Sequence, residues 1–300
     1  MKRIGLIFIF SLMFCTSGAR ADYNAISALT NELTHHIVTV MREMRENGAR
    51  VEVYCEDCSH KMLTRHTYQR AFDIDHELSL FLKMHGINAE DVSLLQYKMY
   101  NQDDLEAVLR LIDNKLEMVL TANEIDVVHN DSYEDRKLPR DHYAVLDRIE
   151  NFLLSIGTPS IQPKTVFRRA KTIRKIIKSL CIGEVCPATQ PSPIDLVTPK
   201  MPIHVYREVN RLAVLLKRYT DGNGIQIEGG VSVPAISREI VTPRIVNKVS
   251  GVLLADLIEI RHQIGGFGDL ELPQETGELT PTHVWREFNH ARRYLEELLY

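Results

Sequence analysis

The feature that most constrains the fold is a helical pattern that recurs along the chain in one register. Seven long segments carry apolar residues at steps of 4, 3, 4 and 3, and a weaker eighth segment precedes them. In the last segment these positions are Val284, Phe288, Ala291, Leu295 and Leu298. Such spacing places one apolar stripe on each helix, which is buried only when other helices pack against it. The pattern therefore predicts an all-α protein.

The starts of these helices also share a sequence pattern. Three residues before the first position of each stripe lies a residue that we call the anchor, and five of the eight anchors are proline. Proline suits the first turn of a helix, where its missing N–H costs nothing. The anchors are Tyr23, Thr64, Gln102, Pro139, Pro163, Pro202, Pro243 and Pro281, at separations of 41, 38, 37, 24, 39, 41 and 38 residues.

The one short separation, 24 residues, divides the helices into two sets of four. We therefore predict two tandem, duplicated four-helix units, over residues 22–157 and 158–300, with long irregular connectors. A repeat near 40 residues is also typical of helical solenoids. Solenoid units hold two helices each, however, and most connectors here lack a second helical pattern, so the solenoid is the weaker alternative.

The first 21 residues have the pattern of a signal peptide. Lys2 and Arg3 precede an apolar run that is too short to span a bilayer, and Ala19-Arg20-Ala21 has the small-x-small form of a cleavage site. No later segment has the pattern of a transmembrane anchor. We expect cleavage near Ala21 and an exported protein, either periplasmic or secreted.

The charge balance argues against nucleic acid as a partner. The formal net charge of −4 becomes −7 when Lys2, Arg3 and Arg20 leave with the signal peptide. A mildly acidic protein lacks the attraction to phosphate backbones that nucleic-acid binding requires. The expected partner is an unknown protein or a small anionic ligand, and the sequence indicates neither a cofactor nor a metal.

Four cysteines follow the signal peptide, as one close pair in each predicted unit. Because exported cysteines usually oxidise, we predict local disulfides between Cys55 and Cys58 and between Cys181 and Cys186. Cys55-Glu-Asp-Cys58 also has the C-x-x-C form of thiol–disulfide exchange enzymes. The two intervening acids would oppose the thiolate that exchange requires, so this role is the less favoured one.

Other catalytic signals are weak. The C-x-x-C segment is followed by His60 and His66, which makes zinc binding a further, weaker alternative to the disulfide. The sequence has no nucleophile elbow, phosphate loop or zinc-protease helix. The leading hypothesis is an exported, non-enzymatic helical binding or interaction protein. The alternatives are a thiol–disulfide enzyme using Cys55 and Cys58, or a structural accessory of an envelope assembly.

Two helix starts share a polar sequence that we predict to be a binding surface. His204-Val-Tyr-Arg-Glu-Val-Asn210 and His283-Val-Trp-Arg-Glu-Phe-Asn289 are identical at five of seven positions. A first-turn histidine suits either helix capping or ligand contact, whereas arginine binds carboxylate or phosphate through its planar fork and tryptophan often anchors interfaces. The predicted site residues are His204, Tyr206, Arg207, His283, Trp285 and Arg286.

Overall fold

A computed structural model of the chain describes seven helices with defined ends. They are α1 (Thr64–Met84), α2 (Gln102–Ala122), α3 (Pro139–Ser155), α4 (Pro163–Lys178), α5 (Pro202–Asn223), α6 (Pro243–Gln263) and α7 (Pro281–Leu299). The structure describes residues 29, 32, 33, 35–37, 39, 62–89, 94–122, 139–155, 158, 161–181, 186, 198–235, 240–270, 273 and 277–299. Those between 29 and 39 belong to an eighth helix, and these described ranges contain no β-strand, so the all-α prediction is confirmed.

Each of the seven helices begins at its predicted anchor. Proline occupies the first turn of α4, α5 and α6. Before α6, the hydroxyl oxygen of Thr242 accepts a hydrogen bond from the backbone N–H of Ile245 at 3.4 Å, which caps one of the unpaired donors of the helix start. At the other end of α5, Gly224 adopts the left-handed conformation (φ 65°) that closes a helix and that glycine adopts without strain.

The predicted apolar stripes form the core. In α4 and α5 every stripe position is at most 3% exposed, and in α7 Phe288, Ala291 and Leu295 are fully buried. Burial of a large aliphatic or aromatic side chain contributes roughly 1.5–3 kcal/mol, so these buried stripe positions stabilise the packed bundle. The one polar stripe residue of α6, Ser250, is also fully buried, and its hydroxyl donates to the backbone oxygen of Asn247 at 3.0 Å.

The four C-terminal helices form a closed ring in which all four run in the same direction. Both α4 and α5 pack against α6 and α7. The four helix starts converge on one small apolar cavity, lined by Pro163, Val166, Pro202, Val205, Pro243, Val246, Pro281 and Val284. At the opposite end, the hydroxyl of Tyr219 in α5 donates to the backbone oxygen of Leu180, just after α4, at 2.6 Å. Parallel neighbours require a connector that returns along the bundle, which explains why the connectors are long.

α1 and α3 run in the opposite direction to this ring. α1 packs against α2, α3 and α6. Two ion pairs show that α3 is antiparallel to α6. Asp147 pairs with Lys248, whereas Glu150, later in α3, pairs with Arg244, which is earlier in α6. α1 is likewise antiparallel to α6, because Arg65, at its start, pairs with Glu259 near the end of α6.

The packing excludes a solenoid for the described helices. α4 contacts α7, and α1 contacts α6, although these helices are far apart in sequence. The boundary between units near residue 157 remains a prediction. None of the described helices is both long enough and apolar enough to cross a membrane.

Candidate functional site

The shared histidines of the predicted site cap their helices. The Nδ1 atom of His204 accepts a hydrogen bond from the backbone N–H of Met201 at 2.9 Å, and Nδ1 of His283 accepts one from Thr280 at 3.1 Å. His66 makes the same bond to Leu63, at 3.1 Å, at the start of α1. An unpaired N–H of the helix start is thereby satisfied, in the manner of a capping box. The recurrence of histidine thus has a structural explanation that needs no ligand.

The two aromatic residues of the predicted site differ in their surroundings. Tyr206 is 4% exposed, and its hydroxyl donates to the backbone oxygen of Ala235 in the α5–α6 connector. Trp285 is only partly buried, and the ammonium group of Lys200 lies 4.8 Å from its ring centroid, within cation–π range. Tyr206 therefore fixes a connector, whereas Trp285 remains partly accessible beside a cation.

The two arginines of the predicted site, Arg207 and Arg286, are exposed. They occupy equivalent positions near the starts of α5 and α7, which are neighbouring parallel helices. The two shared sequences meet through other members, because the side-chain amide of Asn289 donates to a carboxylate oxygen of buried Glu208 at 2.7 Å. The structure thus joins the two repeated sequences at one end of the ring and leaves Arg207 and Arg286 exposed.

A basic surface that sequence reasoning missed extends from Arg286 along α7 and α4. α4 contains seven lysine and arginine residues and no acidic residue. α7 packs directly against it and carries Arg286, His290 and Arg293 at steps of four and three, which is the spacing of one helix face. We call Arg174, Lys178, Arg286, His290 and Arg293 the α4–α7 basic face.

The electrostatics of this face reflect crowding of like charges. Burial, and then the charges of Arg174, Arg293, Arg286 and Lys178, lower the pKa of His290 below its ordinary value. One counter-charge of this face is Glu287, which pairs with Arg174 at 3.2 Å and is 9% exposed. Positive charge therefore remains in excess on a partly exposed surface, although the whole chain is acidic. The basic residues of 163–178, with no acidic residue among them, could have indicated this basic face from the sequence alone. The net charge of the whole chain is negative and does not indicate it.

A second cluster of charges lies between α1, α3 and α6. Arg70 pairs with Asp147 at 2.8 Å and with Glu150 at 2.6 Å, and Arg244 and Lys248 approach the same carboxylates. Burial by itself would raise the pKa of Glu150, but the charge and hydrogen bonds of Arg70, with Lys248 and Arg244, lower it to about 2. We call this set, with Glu77, the interhelix ionic network.

A buried histidine, a buried aspartate and a partly buried serine lie together at the start of α1 without forming a catalytic triad. The Nε2 atom of His66 lies 2.8 Å from Asp256 and 3.4 Å from the hydroxyl of Ser232. A triad requires the carboxylate on one ring nitrogen and the nucleophile on the other. Here both approach Nε2, while Nδ1 accepts the N–H of Leu63. Both nitrogens of His66 are thus engaged, which also argues against its predicted alternative role as a zinc ligand.

The cysteines are described only in part. The sulfur atoms of Cys181 and Cys186 lie at bonding distance, 2.04 Å, in agreement with the predicted local disulfide. Cys55, Cys58 and His60 lie outside the described residues, as do the predicted signal peptide and its cleavage site. The disulfide between Cys55 and Cys58 therefore remains a prediction.

Comparison with known proteins gives no family for this chain: no family model matches, and no characterised protein or solved structure is significantly similar.

Proposed function

We propose that the protein is an exported, non-enzymatic binding protein, built from two duplicated four-helix units, that holds an anionic ligand or partner on the α4–α7 basic face. The observation that carries this proposal is the excess of positive charge on two adjacent parallel helices. Arg286, a residue of the sequence-predicted site, is the exposed member of this face.

The physical basis is the cost of holding like charges together. Crowded cations on a partly desolvated surface repel one another, and an anion relieves that repulsion. Arg174 and Arg286 provide planar guanidinium groups, which suit carboxylate and phosphate oxygens, while Lys178 provides a point charge. Trp285 lies next to Arg286 in the chain and offers a partly exposed apolar surface. An anion that also carries an apolar part would use both.

The test compares two double variants with the same change in net charge. Lys178→Gln with Arg286→Gln removes two cations from the face, whereas Lys217→Gln with Arg218→Gln removes two exposed cations from the far part of α5. Isothermal titration uses citrate as a carboxylate probe and inorganic tripolyphosphate as a phosphate probe. Each charge-assisted hydrogen bond contributes about 1.5–3 kcal/mol, so we expect at least a roughly tenfold loss of affinity in the first variant and little change in the second.

Two results would contradict the proposal. One is that neither probe binds the unaltered protein. The other is that both double variants lose affinity equally, because binding would then reflect overall charge rather than this face.

A further inference from the structure

We propose that Glu32, His36 and Glu117 form a binding site for a divalent transition-metal ion, with Zn²⁺ as the favoured ion. These residues come from the N-terminal helix and from α2, and they lie outside the α4–α7 basic face. The inference does not depend on the proposed function.

The geometry brings three ligand atoms together. One atom each from Glu32, His36 and Glu117 lies within 4.8 Å of the other two. Zinc binds imidazole nitrogen and carboxylate oxygen at about 2.0–2.2 Å in tetrahedral geometry, so two ligand atoms of one ion lie about 3.4 Å apart. Small rotations of the two glutamate side chains, which are partly exposed, would close the remaining gap.

A second observation comes from the orientation of His36. This side chain is 1% exposed, and its Nδ1 lies 3.0 Å from a carboxylate oxygen of Asp113, one helical turn before Glu117. Since an ionised carboxylate can only accept, Nδ1 must carry a proton and donate it to Asp113. A carboxylate on one ring nitrogen is the usual support of a metal-binding histidine, because it fixes the ring and increases the basicity of the other nitrogen. Asp113 is therefore the positioning residue of the site.

The donor set indicates the kind of ion. Two carboxylates and a neutral imidazole provide two negative charges, which a divalent ion neutralises. One nitrogen with two oxygens suits zinc better than calcium, which prefers oxygen alone, or copper(I), which prefers sulfur. Three protein ligands leave at least one position open for water or for a donor atom of another molecule. The sequence signal is Glu32-x-x-x-His36, which places both side chains on one helix face.

The experiment measures Zn²⁺ binding by isothermal titration to the oxidised, chelator-treated, untagged protein, so that thiolates do not compete. We expect one equivalent to bind, and Co²⁺ at the same site should give visible absorption bands. Glu117→Gln should weaken binding by at least about 100-fold, and Asp113→Asn by about 10–100-fold. The matched control is His35→Ala, which removes the adjacent, partly exposed histidine and should leave the affinity unchanged.

Glu117 is partly exposed, so its amide variant should fold, and far-ultraviolet circular dichroism of each variant establishes this. The proposal is overturned if Zn²⁺ does not bind the unaltered protein at submillimolar concentration, since the three groups would then form only an internal ion cluster. Equal affinity of Glu117→Gln and the unaltered protein would also overturn it, as would loss of binding in His35→Ala.

Discussion

Glu77 should make the folded protein less stable as the pH rises from about 5 to 8. It belongs to the interhelix ionic network, where burial first, and then the charge of Glu150, raise its pKa from the ordinary 4.5 to about 8. Asp73 acts in the same direction, and Arg70 and Arg244 act against it. The side chain is therefore largely neutral in the folded protein at neutral pH, and replacement by glutamine, Glu77→Gln, preserves its shape without its charge.

The sign of the effect follows from the direction of the pKa change. A folded-state pKa above the unfolded value means that the folded protein binds this proton more tightly than the unfolded chain. The contribution of this proton to the stability of the folded protein is thus fully present below pH 4.5 and is lost as the pH rises through 8. Integrated from pH 5 to pH 8, this difference in proton binding lowers the free energy of unfolding by about 3.5 kcal/mol. Glu77 is partly exposed, and solvent screening should lower this to about 2 kcal/mol.

The assay is urea unfolding of the unaltered protein and of Glu77→Gln at pH 5 and pH 8. The free energy of unfolding of the variant, minus that of the unaltered protein, should increase by about 2 kcal/mol between the two pH values. Other titrating groups cancel in this difference. Glu278→Gln, at an exposed position in the connector before α7, is the matched control and should show no such increase. A difference that is the same at both pH values for Glu77→Gln would refute the reasoning.

Two further predictions concern the helix caps and the cysteines. His204→Ala and His283→Ala should each lower the free energy of unfolding by about 1 kcal/mol, because each leaves an N–H of the helix start without its cap; a thermal melt unchanged from the unaltered protein would show that the caps contribute nothing. Mass spectrometry of the non-reduced protein should find Cys181 linked to Cys186 and Cys55 linked to Cys58. A cross-link between the two pairs, or free thiols in protein from its native compartment, would contradict the local pairing.

The starts and buried faces of the helices were predictable because both depend on residues close together in sequence. Pro281 and the stripe from Val284 to Leu295 occupy about four turns of one helix, and their spacing alone fixes which face is apolar. The direction in which helices pack depends instead on the connectors and on distant partners. For that reason the sequence predicted the existence of long connectors but not the parallel ring that they join.

The candidate sites were less predictable than the fold. Asp73 and Asp75 are charged residues of α1, a type that usually faces solvent, yet both are buried, and they pair with Arg169 and Lys115 from other helices. The residues next to these aspartates in the sequence do not indicate which distant residues they pair with. His36 is 1% exposed and its Nδ1 lies 3.0 Å from a carboxylate oxygen of Asp113, 77 residues away, which its neighbours in the sequence do not indicate. Charges that are satisfied across helices can be assigned only when the packing is known.

The short anchor separation of 24 residues has a physical explanation in the reversed direction of the helices. After α3 ends at Ser155, the backbone N–H of Thr158 still donates to the carbonyl oxygen of Leu153 at 3.0 Å, so the chain remains at the end of the helix. The five steps from Thr158 to Pro163 span at most about 18 Å. α3 itself, with 17 residues, is about 25 Å long, so the chain cannot return to its start before α4 begins. α4 must therefore begin beside the end of α3, which reverses the direction of the helices that follow. The antiparallel contacts of α3 with α6, Glu150 with Arg244 and Asp147 with Lys248, require this reversal.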